Sequence, residues 1–378
     1  VSASCPDDSI ALVKLSKVRL PLEAAVSDAK VLTGRQTPLT DVALLFAEIT
    51  TDQGLAGMGF SYALRVGGEG QYAHACELAP LVIGEDPDDI SGIWDRLLWA
   101  GASVGQSGIA VQAMAAIDIA LWDLGARRAG LSLAKWIGSS RDSVRCYNTS
   151  GGYLQAPIEE VLDKAARSLE RGIQGVKIKV GQPDSMVDIR RVERVRKHLG
   201  DAVPIMVDAN QQWDLNRAFR FGHSVGQLNL EWIEEPLNAY DVEGHAALSA
   251  ALETPVATGE MLSCVNDFSA FIKARALDIV QPDAPRLGGI TPFLKLADLA
   301  AAANLAMAPH FVMEIHIHLA ACYPTEPWVE HFEWLEPLFN EKLVIRGGRM
   351  EVPDRPGLGY TLSDRMRRWT VESAEFRA

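Results

Sequence analysis

GVKIKVG (175–181), PIMVDAN (204–210), LEWIEEP (230–236) and PVATGE (255–260) follow one another through the middle of the chain, each a short apolar run carrying an ionisable residue near its end. RCYNTSGG (145–152) precedes them, and DIVQPD (278–283), LAMAPH (305–310) and PWVEHFEW (327–334) continue the series. Short β-rich runs alternating with helical stretches are the grammar of βα units. Lys179, Asp208, Glu234, Glu260, Asp283 and His310 stand 29, 26, 26, 23 and 27 residues apart, a steady pitch of one strand, one helix and two loops. Eight such units, counting a short last one, predict an α/β fold built on a β/α barrel, whose active site lies at the C-terminal ends of the strands. All six residues fall at such ends. No Gly-rich dinucleotide fingerprint follows the first strand, which weakens an open-sheet alternative.

The flanking segments read differently. ALVKLSKVRLPL (11–22) and DVALLFAEITTDQGLAGMGF (41–60) read as strands, and the stretch from Gln71 to Gly138 is Ala- and Leu-rich at helical spacing. An α+β unit over 1–142, a barrel over 143–340 and a tail over 341–378 that returns to the first unit are therefore expected. With 378 residues, two units of ordinary size fit. A net charge of -13 makes nucleic acid an unsuitable partner. An anionic substrate then needs local positive charge in the site. No run of about 18 apolar residues lacks a charge, so no membrane span is expected. The start has no basic segment followed by an apolar core, and Cys5, Cys76, Cys146, Cys264 and Cys322 show no paired spacing, so reduced thiols in a cytoplasm are the simplest expectation.

Asp208, Glu234 and Glu260 end three consecutive strands. Three carboxylates at one level cannot all stay ionised without a cation, and hard oxygen donors favour Mg²⁺ or Mn²⁺. Any one of them alone could equally cap a helix. Lys177 and Lys179 are two apart on an apolar strand and point the same way, into the barrel mouth. A lysine crowded by another cation and a metal loses preference for its charged form, which suits Lys179 to act as a base. Asp283 and His310 end adjacent strands, where a hydrogen bond would fix the imidazole tautomer and favour its protonated form. Glu330, if protonated, can hydrogen-bond a developing oxyanion. Glu314 and His318, with His316 between them, have the spacing of a helical metal pair, although an ordinary helix explains them better. Arg286-Leu287-Gly288-Gly289 reads either as a phosphate cradle or as a tight turn entering a helix.

Assembled, these residues resemble the enolase superfamily and its mandelate racemase subgroup: the K-x-K of the second strand, the Asp/Glu/Glu triad, the Asp-His dyad and the final-strand Glu. The resemblance covers nearly the whole chain. It implies a modified (β/α)7β TIM-type barrel with an α+β capping domain completed by the C-terminal tail. It also implies Mg²⁺, with Mn²⁺ as a possible substitute, bound by Asp208, Glu234 and Glu260, and a homo-oligomer. Catalysis would involve Lys177, Lys179, Asp283, His310 and Glu330. A sugar diacid would be held by Asp28, Lys30 and Arg65 of the capping loops with Lys177, Asn210, His310 and Glu330; Arg35, Tyr62 and Asn148 are weaker candidates. The expected activity is dehydration begun by removal of the proton next to a carboxylate, with epimerisation at its side. Rivals are dehydration or racemisation of another acid on the same scaffold, and a non-catalytic acid-binding protein. The superfamily's cycloisomerases and dipeptide epimerases typically present a lysine at the sixth strand, where this chain has Asp283.

Overall fold

The computed structural model describes residues 8–139 and 141–378. Its first three strands, β1 (Ile10–Val26), β2 (Leu39–Thr51) and β3 (Ala56–Leu64), form an antiparallel sheet. The β2–β3 hairpin turns on Gly54, whose φ of 80° is a conformation a side chain would disfavour. The 20-residue helix Ile109–Arg128 packs on this sheet. Gly59 permits the approach, because a Cβ there would lie 2.2 Å from the carbonyl oxygen of Ala116. By length and composition alone this helix could cross a membrane, but 83% of its most apolar window is buried inside the protein, as befits a core helix. Asp123, within it, accepts N–H groups from Met58 at 2.8 Å and Leu358 at 2.6 Å, and so ties the sheet to the C-terminal tail.

Eight short strands make the barrel: β4 (Ser143–Asn148), β5 (Gly175–Lys179), β6 (Ile205–Asp208), β7 (Trp232–Glu234), β8 (Val256–Thr258), β9 (Ile279–Val280), β10 (Ala306–Met307) and β11 (Val329–His331). Each strand from β4 to β10 pairs in parallel with the next. β11 pairs in parallel with β4, and a 3.2 Å bond from Trp328 N to the Met307 carbonyl brings it against β10, closing the ring. α-Helices follow the first seven strands and only a 3₁₀ turn, Glu333–Leu338, follows the last, giving (β/α)7β. Tyr147, Met206, Trp232, Ala257, Ile279, Ala308 and Trp328 fill the interior. The registers set the site: Lys179 pairs with Asp208 and Asp208 with Glu234, so consecutive strands deliver their last side chains at one height.

The tail divides between the two units. A hairpin of β12 (Ile345–Arg346) and β13 (Arg349–Glu351), turning on Gly347 and Gly348 at φ 56° and 82°, adds antiparallel to β4. Only β14 (Thr370–Arg377) returns to the first sheet, antiparallel to β1. The barrel thus keeps part of a tail that was expected to go wholly to the cap. The sequence pattern of a three-residue strand such as β13 does not say which edge it will join.

Candidate active site

Asp208, Glu234 and Glu260 are buried, and one carboxylate oxygen from each lies within 4.8 Å of the others. Burial and the neighbouring carboxylates push Glu234 up to about 7 against the pull of Lys177. Burial also opposes charge on Glu260 and Asp208, but His310 and Arg286 hold Glu260 down to about 2, and Lys179 and Lys177 hold Asp208 below its ordinary value. Glu234 is oriented by Gln281 Nε2 at 2.7 Å and Trp232 Nε1 at 3.0 Å. Asn210 donates its backbone and side-chain N–H groups to Asp208 at 2.8 and 3.1 Å, while its buried Oδ1 has no partner. A buried group of hard oxygen donors at this spacing fits a small divalent cation.

The two lysines of β5 point inward together, as expected, but to different depths. Lys177 is sealed between Glu234 at 2.6 Å and Glu330 at 2.9 Å. Lys179 bonds Asp208 and keeps 16% of its side chain accessible. Burial works against the charge on Lys179, and so does Lys177, yet Asp208, joined by Glu234 and Glu260, holds the ammonium above its ordinary value. The neighbour that favours the ammonium is the carboxylate of β6, and a cation sharing that carboxylate would weaken its hold on the Lys179 proton. Glu330 lies among donors and cations. Burial opposes its charge, but Lys177, His310, the Thr149 hydroxyl and the Phe311 N–H at 2.6 Å bring it down to about 2, a setting that favours the ionised, accepting form.

His310 Nδ1 lies 2.9 Å from Asp283 Oδ2, and its Nε2 lies 3.3 Å from Glu260. Burial disfavours charge on the imidazole, but Glu260 and the Asp283 hydrogen bond raise it above the ordinary histidine value. Asp283 also caps the short helix Ala284–Leu287 through the Arg286 N–H at 3.0 Å. Arg286, which the motif reading left between phosphate cradle and turn, donates to the Glu260 carbonyl at 2.8 Å. Gly288 and Gly289 form a turn at φ 103° and 111°. Asp118 fills the space beside Gly289, accepting Thr291 N at 3.0 Å and Thr291 Oγ1 at 2.5 Å, so a carboxylate occupies the would-be cradle.

Above these groups a cavity of about 340 Å³ opens between barrel and cap, lined by Asp28, Lys30, Arg65, Lys179, Asn210, Glu260, Arg286 and His310 among others. Asp28 caps the helix Ala29–Leu32, and Arg65 Nη2 reaches it at 3.5 Å. Of the residues expected to touch a substrate, Lys177 and Glu330 do not line the cavity, because their ion pair closes them below it. The exposed Arg35 does not line it either, and Asn148 spends its side-chain oxygen on the Ser150 N–H at 2.9 Å. Tyr62 lines the cavity but donates its hydroxyl to Asp283 at 2.6 Å, a link across 221 positions that no local pattern announces.

The helical Glu314, His316 and His318 hold no metal geometry. His318 links Ala134 N at 3.3 Å to the Leu358 carbonyl at 3.1 Å, and His316 accepts from Ala284 N at 3.0 Å. A second acidic group, His331, Glu333 and Glu336, has its carboxylates held by Arg171 at 2.5 Å and Lys342 at 2.6 Å. Cys76, Cys146, Cys264 and Cys322 are free thiols, and Cys5 lies outside the described residues.

A cap over a barrel whose strands end in two lysines, three carboxylates and an Asp-His pair defines a recognisable class of enzyme. Residues 26–138 match the family model "Mandelate racemase / muconate lactonizing enzyme, N-terminal domain" and residues 160–366 match "Enolase C-terminal domain-like"; the chain belongs to the enolase superfamily. It is 61% identical over 369 residues, 98% of this chain and 93% of the relative, to L-talarate/galactarate dehydratase of Salmonella typhimurium strain LT2. Among solved structures it is similar to L-talarate dehydratase from Polaromonas sp. JS666 complexed with Mg and L-glucarate, at 62% identity and a TM-score of 0.96, covering 98% of this chain and 100% of that one. It is likewise similar to the Salmonella typhimurium LT2 enzyme liganded with Mg and L-lyxarohydroxamate, at 60% identity and a TM-score of 0.98, covering 100% of this chain and 97% of that one.

Proposed function

We propose that this protein is a Mg²⁺-dependent acid-sugar dehydratase acting on L-talarate and galactarate. The observation that carries the reading is the placement of two proton carriers at the two ends of one carboxylate cluster: Lys179 on Asp208 of β6, and His310 against Glu260 after β8. Asp208, Glu234 and Glu260 hold the Mg²⁺, which supplies Lewis-acid stabilisation of the charge that develops on the substrate carboxylate. The similarity to Mg-bound L-talarate dehydratase supports this.

The chemical difficulty is the weak acidity of a carbon next to a carboxylate, whose deprotonation puts two negative charges on one enediolate. Lys179 or His310, in its unprotonated form, takes that proton, according to the face on which the epimer presents it. The β C–O bond then breaks, and His310 gives the departing hydroxyl a proton so that it leaves as water. The remaining enol tautomerises to a 2-keto-3-deoxy diacid. Asp283 keeps Nδ1 of His310 as the donor and leaves Nε2 to exchange protons. Lys177 adds a fixed positive charge beneath the cluster. Lys30, Arg65 and Arg286 give the cavity of an acidic protein the cationic lining a diacid requires, with Asp28 and Asn210 for its hydroxyls. Reprotonation from the opposite face yields the other epimer, so slow epimerisation accompanies dehydration.

Homo-oligomeric assembly belongs to this reading, and the exposed Val66, Trp99 and Val104 of the cap offer apolar surface for it. So does a cytoplasmic setting, in keeping with the free thiols. Assay of the purified chain against a panel of acid sugars with Mg²⁺ tests the proposal: a keto product from galactarate and L-talarate is expected, and turnover of only other acids would overturn the substrate assignment.

A further inference from the structure

Tyr62 belongs to the cap, on β3, yet its hydroxyl donates to Oδ2 of Asp283 in the barrel at 2.6 Å. The same oxygen holds Nδ1 of His310 at 2.9 Å, and the Tyr62 hydroxyl lies 3.5 Å from that nitrogen. Oδ1 of Asp283 is taken by the Arg286 N–H at 3.0 Å. With both oxygens engaged the carboxylate plane is fixed, and so is the imidazole that bonds to it.

Tyr62 is itself firmly placed. It is 2% exposed, its carbonyl accepts Gln71 Nε2 at 2.9 Å, Phe311 meets its ring edge-on at 5.0 Å, and the Arg286 guanidinium lies 5.3 Å from the ring centroid. Lys179 has no such support: its partner Asp208 is a barrel residue, and among the described residues no cap side chain hydrogen-bonds to it.

We propose that Tyr62 is a positioning residue for the His310 arm, so that the cap fixes the geometry of one of the two proton carriers and leaves the other to the barrel. The inference rests on the two-carrier reading above. Steps on the His310 face then depend on a cap hydroxyl, and exchange on the Lys179 face does not.

Tyr62→Phe keeps the ring and its packing and removes only the hydroxyl. The full chain with Mg²⁺, its Tyr62→Phe, His310→Asn and Lys179→Ala variants, and each epimer in turn are compared in D₂O for α-deuterium uptake and keto product. Tyr62→Phe is expected to shift the ratio of α-deuterium uptake between the two epimers in the direction of His310→Asn, and to lower kcat for keto product about tenfold with KM within about twofold. Unchanged kinetics, an equal fall in α-deuterium uptake for both epimers, or a rise confined to KM would overturn the inference. Should Tyr62→Phe fail to fold, 3-fluorotyrosine incorporated at position 62 retains the shape with a more acidic hydroxyl, and an unaltered epimer ratio there would overturn it equally. If His310→Asn and Lys179→Ala behave alike toward both epimers, the two-carrier reading fails first and takes the inference with it.

Discussion

Lys177 and Glu330 lie 2.9 Å apart with side chains only 1% and 2% exposed, an ion pair almost wholly out of water. Glu234 completes the group on the other side of the ammonium at 2.6 Å. Neutralising the lysine as Lys177→Met leaves two buried carboxylates facing each other, which should cost about 3–5 kcal/mol in the metal-free protein. Glu330→Gln should cost less, because Lys177 keeps Glu234. Urea unfolding of the single and double variants measures the coupling, and strictly additive losses would show that the pair does not act as a unit.

Cation binding should stabilise the fold measurably, because Asp208, Glu234 and Glu260 bring their oxygens within 4.8 Å of one another. At a hundredfold excess over its dissociation constant a bound ion is worth about 2.7 kcal/mol. Calorimetry with and without Mg²⁺ should show that gain in the wild type and little of it in Asp208→Asn. Chelation should abolish turnover and Mg²⁺ should restore it. Turnover that survives exhaustive chelation would be incompatible with the proposed site.

Glu314 supplies a pH dependence independent of the cation site. Both its carboxylate oxygens are buried without a hydrogen-bond partner, and burial raises the group from 4.5 to about 8. Because the folded value exceeds the unfolded one, the folded chain holds an extra proton between those two values, and unfolding releases it. Stability therefore falls as pH rises through that window, by up to about 1.4 kcal/mol per pH unit, and the loss is complete above it. Glu314→Gln should remove this component, narrowing the difference in Tm between acid and alkaline buffers. Identical pH profiles for the two proteins would refute the assignment.

Much of the site was legible because barrel strands mark their own ends: an apolar run that stops on Lys179, Asp208 or Glu234 states both the strand and the direction of its last side chain. Lys177 and Lys179 could be aimed by the two-residue period alone. The depth of each could not, since it depends on which carboxylates of β6, β7 and β11 close on it. The pull of Lys177 on Glu330 was hidden for the same reason, and so was the pull of Asp208 on Lys179. Tyr62 was visible only as a capping-loop candidate, because its bond to Asp283 spans 221 positions and needs the packed cap to exist. The hairpin that keeps part of the tail on β4 is too short to leave a periodic signal.

The most direct test of the central claim is the fate of the α-proton. Galactarate incubated in D₂O with the Mg²⁺-loaded wild type, Lys179→Ala and His310→Asn proteins is followed by NMR. The wild type should form a 2-keto-3-deoxy diacid with solvent deuterium, while each variant loses keto product and differs from the other in which epimer still exchanges its α-proton. Absence of both deuterium uptake and keto product in the wild type, or wild-type behaviour in Lys179→Ala, would contradict the account.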